Sequence, residues 1–270
     1  MKPAAFDYIR AEHLDEALDT LRKDGGDARI IAGGQSLMAM LNMRLAKPKT
    51  LIDIMRLQDL ARIVRKGDTI TIGAGVRQAA LLAWPDLRAS LPLVALALPW
   101  TGHVQTRSRG TVCGSIAHAD PSAELPLVLQ ALRGEVHLRG AKRRRRVAAK
   151  DFFAGMMATT RADDELIEAV TFPIVRKRCA FREVARRHGD FAIVACAAVE
   201  TADGVRLAVG GVADMPAARD FPDLDGSALD DALNGFAYEL DARDDVHATA
   251  RYRRDLVRMI GRDLVREVLQ

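Results

Sequence analysis

Short apolar runs alternate with helically spaced apolar residues over the first 56 residues. Residues 6–9 predict a short strand, and apolar side chains three and four positions apart predict a helix over residues 12–23. A strand at residues 28–32 runs into two glycines, a second amphipathic stretch begins at Leu37, and residues 51–54 return as a strand. This β-α-β-α-β order predicts a small parallel sheet with right-handed crossover connections.

Between residues 57 and 175, the sequence pattern changes to one typical of antiparallel strands. Alternating apolar residues at 69–72 follow a Gly-Asp pair, which is typical of a hairpin. Helices are predicted over residues 77–83, 89–98 and 122–132, and strands at residues 135–138, 146–147 and 166–172. We interpret this stretch as a mixed, largely antiparallel second unit.

A third pattern begins after residue 175. Three apolar segments, at residues 180–185, 191–200 and 205–212, are joined by tight turns and predict a three-stranded antiparallel meander. Helices at residues 229–233 and within 241–269 are expected to pack on it. The sequence therefore predicts an α+β protein with domains at residues 1–175 (subdomains 1–56 and 57–175) and 176–270.

The composition is that of a packed, globular protein. Of the 270 residues, 49% are hydrophobic and 28% are charged, which excludes wholesale disorder. The net charge of +4 is a mild basic excess, which attracts anions such as nucleotides without indicating nucleic acid. The densest basic run, residues 142–146, falls at a predicted hairpin. A solvated turn is favoured there over a nucleic-acid patch, and a surface for an acidic partner is a third interpretation.

Membrane, disulfide and metal signals are weak in this sequence. No segment approaches the ~20 apolar residues of a membrane span, and the opening residues lack the apolar stretch of a secretory signal. The three cysteines are widely spaced, which argues against disulfides and for a reducing, cytoplasmic location; they are also too few for an iron–sulfur cluster. Metal-ligand spacing is absent at four histidines, interpreted as surface or core residues: His13, His103, His137 and His247.

Two glycine-rich stretches carry the clearest chemical signal. Residues 30–37 form a strand that ends in Gly33-Gly34 and leads into a helix, so free N–H groups and the helix dipole favour an anion such as a diphosphate. An ordinary tight turn is an equally weighted alternative. Residues 107–124 place small and hydroxyl side chains, a histidine and two carboxylates before an apolar helix. Two such loops from separate units fit a dinucleotide.

A nicotinamide-binding fingerprint is disfavoured. Gly73-Ala74-Gly75 follows a predicted strand, as that fingerprint requires. Its third glycine would fall at position 78, which is occupied by Gln78. A match of two glycines is a weak signal.

Four motifs resemble a known protein family. They are A-G-G-Q-S-L at residues 32–37, R-x-R-G-T-x-x-G-S-I-A-H-A-D-P-x-A-E-L-P at residues 107–126, D-F-F-x-G at residues 151–155 and R-R-H-G-D-F-A at residues 186–192. Together they resemble the FAD-binding medium subunit of the molybdenum hydroxylases. That family includes the medium subunit of aerobic carbon monoxide dehydrogenase and the flavin domain of xanthine dehydrogenase.

The resemblance implies a two-subdomain FAD-binding fold, a small parallel βαβ unit plus a mixed or antiparallel unit, followed by a C-terminal three-stranded antiparallel sheet with helices. It implies that the FAD diphosphate is wrapped by one loop and closed by a second: Ala32, Gly33, Gly34, Gln35, Ser36 and Leu37, then Thr111, Gly114 and Ser115. Glu124 matches a position that bonds a sugar or ribityl hydroxyl, and Ile167 an apolar position beside the rings. Arg182 matches a basic position near the flavin, where it would stabilise negative charge on the reduced ring. Three further residues are expected near the cofactor: His118, Asp120 and Asp190.

Cys113 departs from the family pattern, because two consecutive glycines usually stand at positions 113 and 114. If the first of these needs a positive φ, a cysteine there costs about 1 kcal/mol or more. A redox-active thiol is one interpretation of Cys113, and a small buried filler is the favoured one.

By this resemblance, the chain carries electrons and does not itself oxidise the substrate. A large molybdopterin subunit would act on the substrate, a small [2Fe–2S] subunit would deliver electrons, and FAD in this chain would release them to NAD, a quinone or oxygen. No catalytic acid or base and no metal site are expected here. A self-contained flavin oxidase or reductase and an FAD-less scaffold subunit are the alternatives.

Overall fold

The first unit is a small parallel sheet with two helices. The computed structural model describes residues 2–270. The elements are β1 (Asp7–Arg10), α1 (Leu14–Asp24), β2 (Ala28–Ile31), α2 (Leu37–Asn42) and β3 (Thr50–Asp53). The strand order is β1-β3-β2 and both pairings are parallel, because each connection crosses over through a helix. The predicted parallel unit is confirmed.

The second unit is an antiparallel sheet with a helical insertion. Its sheet has the order β4-β5-β10-β6-β7, and a separate two-stranded ribbon pairs β8 with β9. The elements are β4 (Ile63–Lys66), β5 (Thr69–Gly73), α3 (Gln78–Leu82), α4 (Leu87–Ser90), α5 (Pro92–Ala97), α6 (Val104–Arg109), α7 (Val112–His118), α8 (Glu124–Ala131), β6 (Glu135–Arg139), β7 (Arg144–Ala148), α9 (Ala149–Phe152), β8 (Phe153–Gly155), β9 (Ala158–Thr159) and β10 (Leu166–Pro173).

The glycine of the disfavoured nicotinamide fingerprint has a packing role. A Cβ atom at Gly73 would lie 2.2 Å from the carbonyl oxygen of Leu60. Glycine is therefore needed at the end of β5 because the backbone before β4 passes against it.

The C-terminal unit is an antiparallel meander covered by two long helices. Its elements are β11 (Cys179–Val184), β12 (Val194–Glu200), β13 (Gly204–Gly210), β14 (Ala217–Pro222), α10 (Gly226–Glu239) and α11 (Ala250–Leu269). The sheet has four strands in sequential order, so the expected number of three is corrected. Apolar alternation does not reveal β14, because Phe221 is its one buried residue. Within residues 2–270, no helix is both long and apolar enough to cross a membrane.

The two faces of the C-terminal sheet meet different cores. Ala195 of β12 belongs to the core that includes the first two units, whereas Cys196 belongs to the core beneath α10 and α11. The antiparallel register pairs Glu183 with Ala195 and Arg182 with Cys196. Neighbouring residues of β11 therefore lie on opposite faces of the sheet.

The basic run at residues 142–146 is largely neutralised within the chain. Arg145 donates two hydrogen bonds, of 2.9 and 2.8 Å, to Glu165, a residue with no exposed surface. Three neighbouring arginines have carboxylate partners at 2.9, 3.7 and 3.9 Å: Arg143 with Asp164, Arg144 with Glu168 and Arg146 with Glu135. These ion pairs tie the hairpin to the unit that carries it, which gives the run a structural role.

Candidate cofactor cleft

A cleft of about 1280 Å³ lies where the three units meet. Typical small-molecule pockets have volumes of roughly 300–1,000 Å³, so this cleft has room for a dinucleotide. Its walls come from the β2–α2 loop, from α7 and the residues before it, from residues 101–103 and from residues 189–193 after β11. All three units of the fold thus contribute to one site.

The two glycine-rich loops touch each other at Gly33. A Cβ atom at Gly33 would lie 2.2 Å from the carbonyl oxygen of Arg109 and 2.7 Å from the Cα atom of Gly110. Gly34 has a φ of +73°, in the left-handed region that favours glycine. An ordinary tight turn would require only the positive φ of Gly34. The close approach at Gly33 shows that the glycine pair also brings the second loop into place.

Backbone donors of the first loop are free. Within the described residues 2–270, the N–H groups of residues 33–36 donate to no protein acceptor, and all four of these residues line the cleft. Behind them in α2, the Met38 N–H donates to the Gly34 carbonyl at 3.1 Å. A run of unpaired donors needs an acceptor. The phosphate oxygens of a dinucleotide are such acceptors, so the loop fits a diphosphate.

The second glycine-rich loop is the capped start of a helix. The Thr111 Oγ1 atom accepts a hydrogen bond from the Gly114 N–H at 3.0 Å. A Cβ atom at Gly114 would lie 2.6 Å from that oxygen, so glycine permits the cap. The sequence pattern predicts only a glycine-bearing segment here. The start of α7 is set by the hydroxyl cap of Thr111, and no regular spacing of apolar residues marks it. Thr111, Gly114 and Ser115 all line the cleft.

Cys113 fits α7 without backbone strain. It is the second residue of the helix and does not have a positive φ, so the penalty considered for this position does not arise. Its Sγ atom lies 3.5 Å from the Ile72 carbonyl oxygen, and the residue is 3% exposed. Burial raises the pKa of the thiol to about 12. These features favour the buried filler over a reactive thiol.

Glu124 presents a buried carboxylate to the cleft. It is 5% exposed and accepts a hydrogen bond of 2.8 Å from the Thr101 Oγ1 atom. Burial raises the pKa of Glu124, while its own backbone N–H, the Thr101 hydroxyl and the charge of Arg107 oppose the shift. Arg107 also fixes the Thr101 loop, donating from Nη1 to the carbonyl oxygens of Pro99, Thr101 and Gly102 at 3.1, 3.0 and 2.7 Å. The result is a buried side chain held in a fixed position on the cleft wall.

Residues 189–193 bring the C-terminal unit to the cleft. Gly189 has a φ of +87°, and a Cβ atom there would lie 2.6 Å from the ring of His103. This close approach sets Asp190 and Phe191 against the cleft. Phe191 is 72% exposed, so its aromatic ring is available to a bound group.

Fourteen of the fifteen residues that the resemblance assigns to the cofactor line this cleft: Ala32, Gly33, Gly34, Gln35, Ser36, Leu37, Thr111, Gly114, Ser115, His118, Asp120, Glu124, Ile167 and Asp190. Arg182 does not line it. Its side chain lies on the other face of β11, where it pairs with Asp263 and Glu267 of α11 at 3.1 and 3.2 Å. The alternation of strand residues is the reason: Arg182 shares a face with Cys196, away from the cleft.

Several residues of the cleft carry no sequence signal. His103 and His247, interpreted above as surface or core residues, both line it, as do Arg29 and Arg161. Arg161 is fixed by two hydrogen bonds of 2.6 Å from Nη1 to the carbonyl oxygens of Ala162 and Glu165. Burial lowers the pKa of Arg161, and the charge of Arg29 adds to this shift. These side chains reach the cleft through tertiary contacts that local spacing does not reveal.

Family models match both parts of the chain. Residues 4–175 match the model described as the FAD binding domain in molybdopterin dehydrogenase. Residues 179–268 match the CO dehydrogenase flavoprotein C-terminal domain. The chain belongs to the FAD-binding medium subunits of the molybdenum hydroxylases.

Individual relatives extend over nearly the whole chain. It is 37% identical to the 6-hydroxypseudooxynicotine dehydrogenase complex subunit alpha of Paenarthrobacter nicotinovorans, over 98% of this chain and 95% of that one. It is 38% identical to the nicotine 6-hydroxylase medium subunit of the same organism, over 98% of each. The fold matches reconstituted CO dehydrogenase from Oligotropha carboxidovorans with a TM-score of 0.94 and 30% identity, over 99% of both chains. The predicted family, its FAD cofactor and its oxidoreductase class are confirmed.

Proposed function

We propose that this medium subunit accepts electrons from [2Fe–2S] clusters of a partner subunit and passes them, through FAD in its cleft, to an external acceptor. The observation that carries the proposal is the cradle formed by the unpaired N–H groups of residues 33–36 and the second loop packed across Gly33. Bound FAD supplies the redox chemistry, and the protein supplies binding, orientation and electrostatics.

Each wall of the cleft has a role in this proposal. The N–H groups of residues 33–36 hold the diphosphate, with Thr111 and Ser115 closing on it. Glu124 accepts a hydrogen bond from a sugar or ribityl hydroxyl, and Ile167 supplies an apolar wall beside the rings. Positive charge comes from the cleft-lining Arg29, Arg161 and Arg186, and Arg182 is assigned no role at the flavin. These cations favour the anionic diphosphate and the reduced ring.

A small [2Fe–2S] subunit and a large molybdopterin subunit complete the proposed complex. Two relatives are themselves subunits, one of a dehydrogenase complex and one the medium subunit of a hydroxylase, which supports an assembly of several chains. Substrate oxidation belongs to the large subunit, so no catalytic acid or base is assigned to this chain. We further propose a cytoplasmic location, supported by three free cysteines. The proposed domains at residues 1–175 and 176–270 are supported by the family matches to 4–175 and 179–268.

Purification of the tagged chain from cells that make it tests this function. We expect a larger and a smaller protein to co-purify, with iron and molybdenum in constant ratio to FAD. The chain separated from them is expected to keep flavin but to lack both metals and steady turnover. Steady turnover by the separated chain would instead support a self-contained oxidase or reductase. A colourless chain that takes up no FAD would support the scaffold alternative.

A further inference from the structure

Gln78 is a buried amide that no part of the proposed function uses. It is the first residue of α3, is 4% exposed and lines the cleft. It also occupies the position at which the disfavoured nicotinamide fingerprint would have its third glycine. A buried polar side chain is costly unless its hydrogen bonds are satisfied. The contacts of the Gln78 amide therefore decide whether it serves the fold or the site.

The fold does not need this amide. The Gln78 Nε2 atom donates to the Thr111 carbonyl oxygen at 3.5 Å, but that oxygen also accepts the Ser115 N–H at 3.2 Å. The Gln78 Oε1 atom has no hydrogen-bond partner within residues 2–270. An apolar side chain of the same shape would leave no buried acceptor unpaired, so its effect on stability would be neutral or favourable. Stability therefore does not explain why an amide stands at this position.

The chain around Gln78 is paired with the second glycine-rich loop. The two segments meet in an isolated antiparallel bridge. The Gln78 N–H donates to the Gly110 carbonyl oxygen at 2.8 Å, and the Val112 N–H donates to the Val76 carbonyl oxygen at 3.1 Å. The side-chain amide of Gln78 adds its contact with the Thr111 carbonyl, the next one along that loop. Backbone and side chain of Gln78 thus hold two successive carbonyl groups of the loop.

Gly110 packs closely against both the first loop and the Gln78 amide. A Cβ atom at Gly33 would lie 2.7 Å from the Gly110 Cα atom. A Cβ atom at Gly110 itself would lie 3.2 Å from the Gln78 Oε1 atom and 3.0 Å from the Thr106 carbonyl oxygen. Gly110 has a φ of −59°, which any residue adopts, so close packing and not backbone conformation calls for glycine there. The position of Gly110 therefore depends on the first loop and on Gln78 together.

We propose that Gln78 is a positioning residue whose amide holds the Gly110–Thr111 peptide against the first loop, so that Thr111 and Ser115 close on the cofactor diphosphate. This inference rests on the proposed binding of FAD in the cleft. Without the amide the fold stays intact, but the closed arrangement of the two loops is less populated. The apparent affinity for a ligand falls in proportion to the population of the state that binds it.

Replacing Gln78 by methionine tests this role, because methionine has a similar shape but no N–H donor. The full chain is freed of flavin and titrated with FAD while flavin fluorescence is followed. The dissociation constant of Gln78→Met should be roughly two- to tenfold higher than that of the wild type, as expected for the loss of one hydrogen bond. The melting temperature without FAD should stay the same or rise, because an unpaired buried acceptor is removed. Wild-type affinity, or a loss of affinity accompanied by a lower melting temperature, would overturn the proposal.

Gln130→Met is the matched control. Gln130 lies in α8, is 9% exposed and also has an unpaired Oε1 atom, but it is not among the residues that line the cleft. Its replacement should leave the dissociation constant for FAD at the wild-type value. A rise equal to that of Gln78→Met would show that any buried amide affects the affinity, and the specific role of Gln78 would be refuted.

A double-mutant cycle with Gly33→Ala tests whether Gln78 acts through the position of Gly110. Gly33→Ala already displaces the second loop, because its new Cβ atom overlaps the backbone of that loop. Adding Gln78→Met to it should therefore raise the dissociation constant by a smaller factor than the same change does in the wild type. Two factors that multiply in full would mean that the residues act independently, which contradicts the proposal.

Amide hydrogen exchange in the flavin-free chain separates this inference from the proposed function. The Val112 N–H, which is bonded to the segment around Gln78, should exchange roughly two- to tenfold faster in Gln78→Met and at the wild-type rate in Gln130→Met. A chain that binds no FAD but shows this faster exchange would refute the proposed function and keep the role of Gln78 in the loop. A chain that binds FAD but shows unchanged exchange in Gln78→Met would refute the role of Gln78 alone.

Discussion

Replacing Gly33 by alanine tests whether the two glycine-rich loops must touch. The new Cβ atom would lie 2.2 Å from the Arg109 carbonyl oxygen, a backbone atom that cannot rotate away. Normal contact requires a displacement of about 1 Å, and overpacking of this kind costs about 1–3 kcal/mol. Because the cost falls on the closed arrangement that holds the diphosphate, the dissociation constant for FAD should rise by roughly 5- to 150-fold.

The chain contains a matched control for this substitution. Gly235 lies in α10, and a Cβ atom there meets nothing within 4 Å. Gly235→Ala should bind FAD like the wild type and gain about 0.5–1 kcal/mol of stability from helix propensity. Fluorescence titration gives the affinities, and thermal unfolding without FAD shows whether each variant folds. A folded Gly33→Ala variant with wild-type affinity would refute the idea that the close approach is needed.

Three further predictions address single side chains. Glu183→Gln should stabilise the chain near pH 7 by up to about 3 kcal/mol. The pKa of Glu183 is raised to about 8 in the folded chain, so the wild-type protein loses stability as pH rises from the unfolded pKa toward that value, whereas the variant does not. Urea unfolding at several pH values measures the difference, which should vanish near pH 4. Arg182→Ala should leave the FAD content and the flavin reduction potential unchanged. It should lower the free energy of unfolding by under about 1 kcal/mol, because the ion pairs of Arg182 with α11 are exposed. A shifted reduction potential would mean that Arg182 acts at the flavin. Iodoacetamide should modify Cys179 before Cys113 in the native chain, because Cys113 is the more deeply buried thiol. Mass spectrometry of digests from samples taken early in the reaction detects the order. Labelling of Cys113 in those early samples would contradict the structure.

The fold follows from the sequence wherever apolar spacing is regular. The β-α-β-α-β start and the meander are visible because their strands and helices bury continuous apolar faces. The apolar pattern does not predict β14, because β14 is an edge strand with one buried residue, Phe221. The sequence does not predict helix α7, because the start of this helix depends on a hydroxyl cap at Thr111 and its glycine and small residues are typical of a loop.

The candidate site was predictable where motif and backbone geometry coincide. The two glycine-rich loops shape the cleft through backbone atoms that only glycine permits to approach, so the glycine motifs in the sequence mark the site directly. Arg182 illustrates the limit, since one step along a strand decides which face a side chain joins. Glu183 illustrates the reverse case: it is buried with no hydrogen-bond partner among the described residues, and the local sequence does not reveal that burial.

The visible spectrum of the purified chain tests the central claim most directly, with heat release and identification of any bound yellow compound. We expect the bands of oxidised flavin and about one FAD released per chain, in keeping with a cleft of about 1280 Å³ and its unpaired N–H groups at residues 33–36. A colourless chain that stays colourless after incubation with FAD, in a sample shown to be folded, would contradict the account.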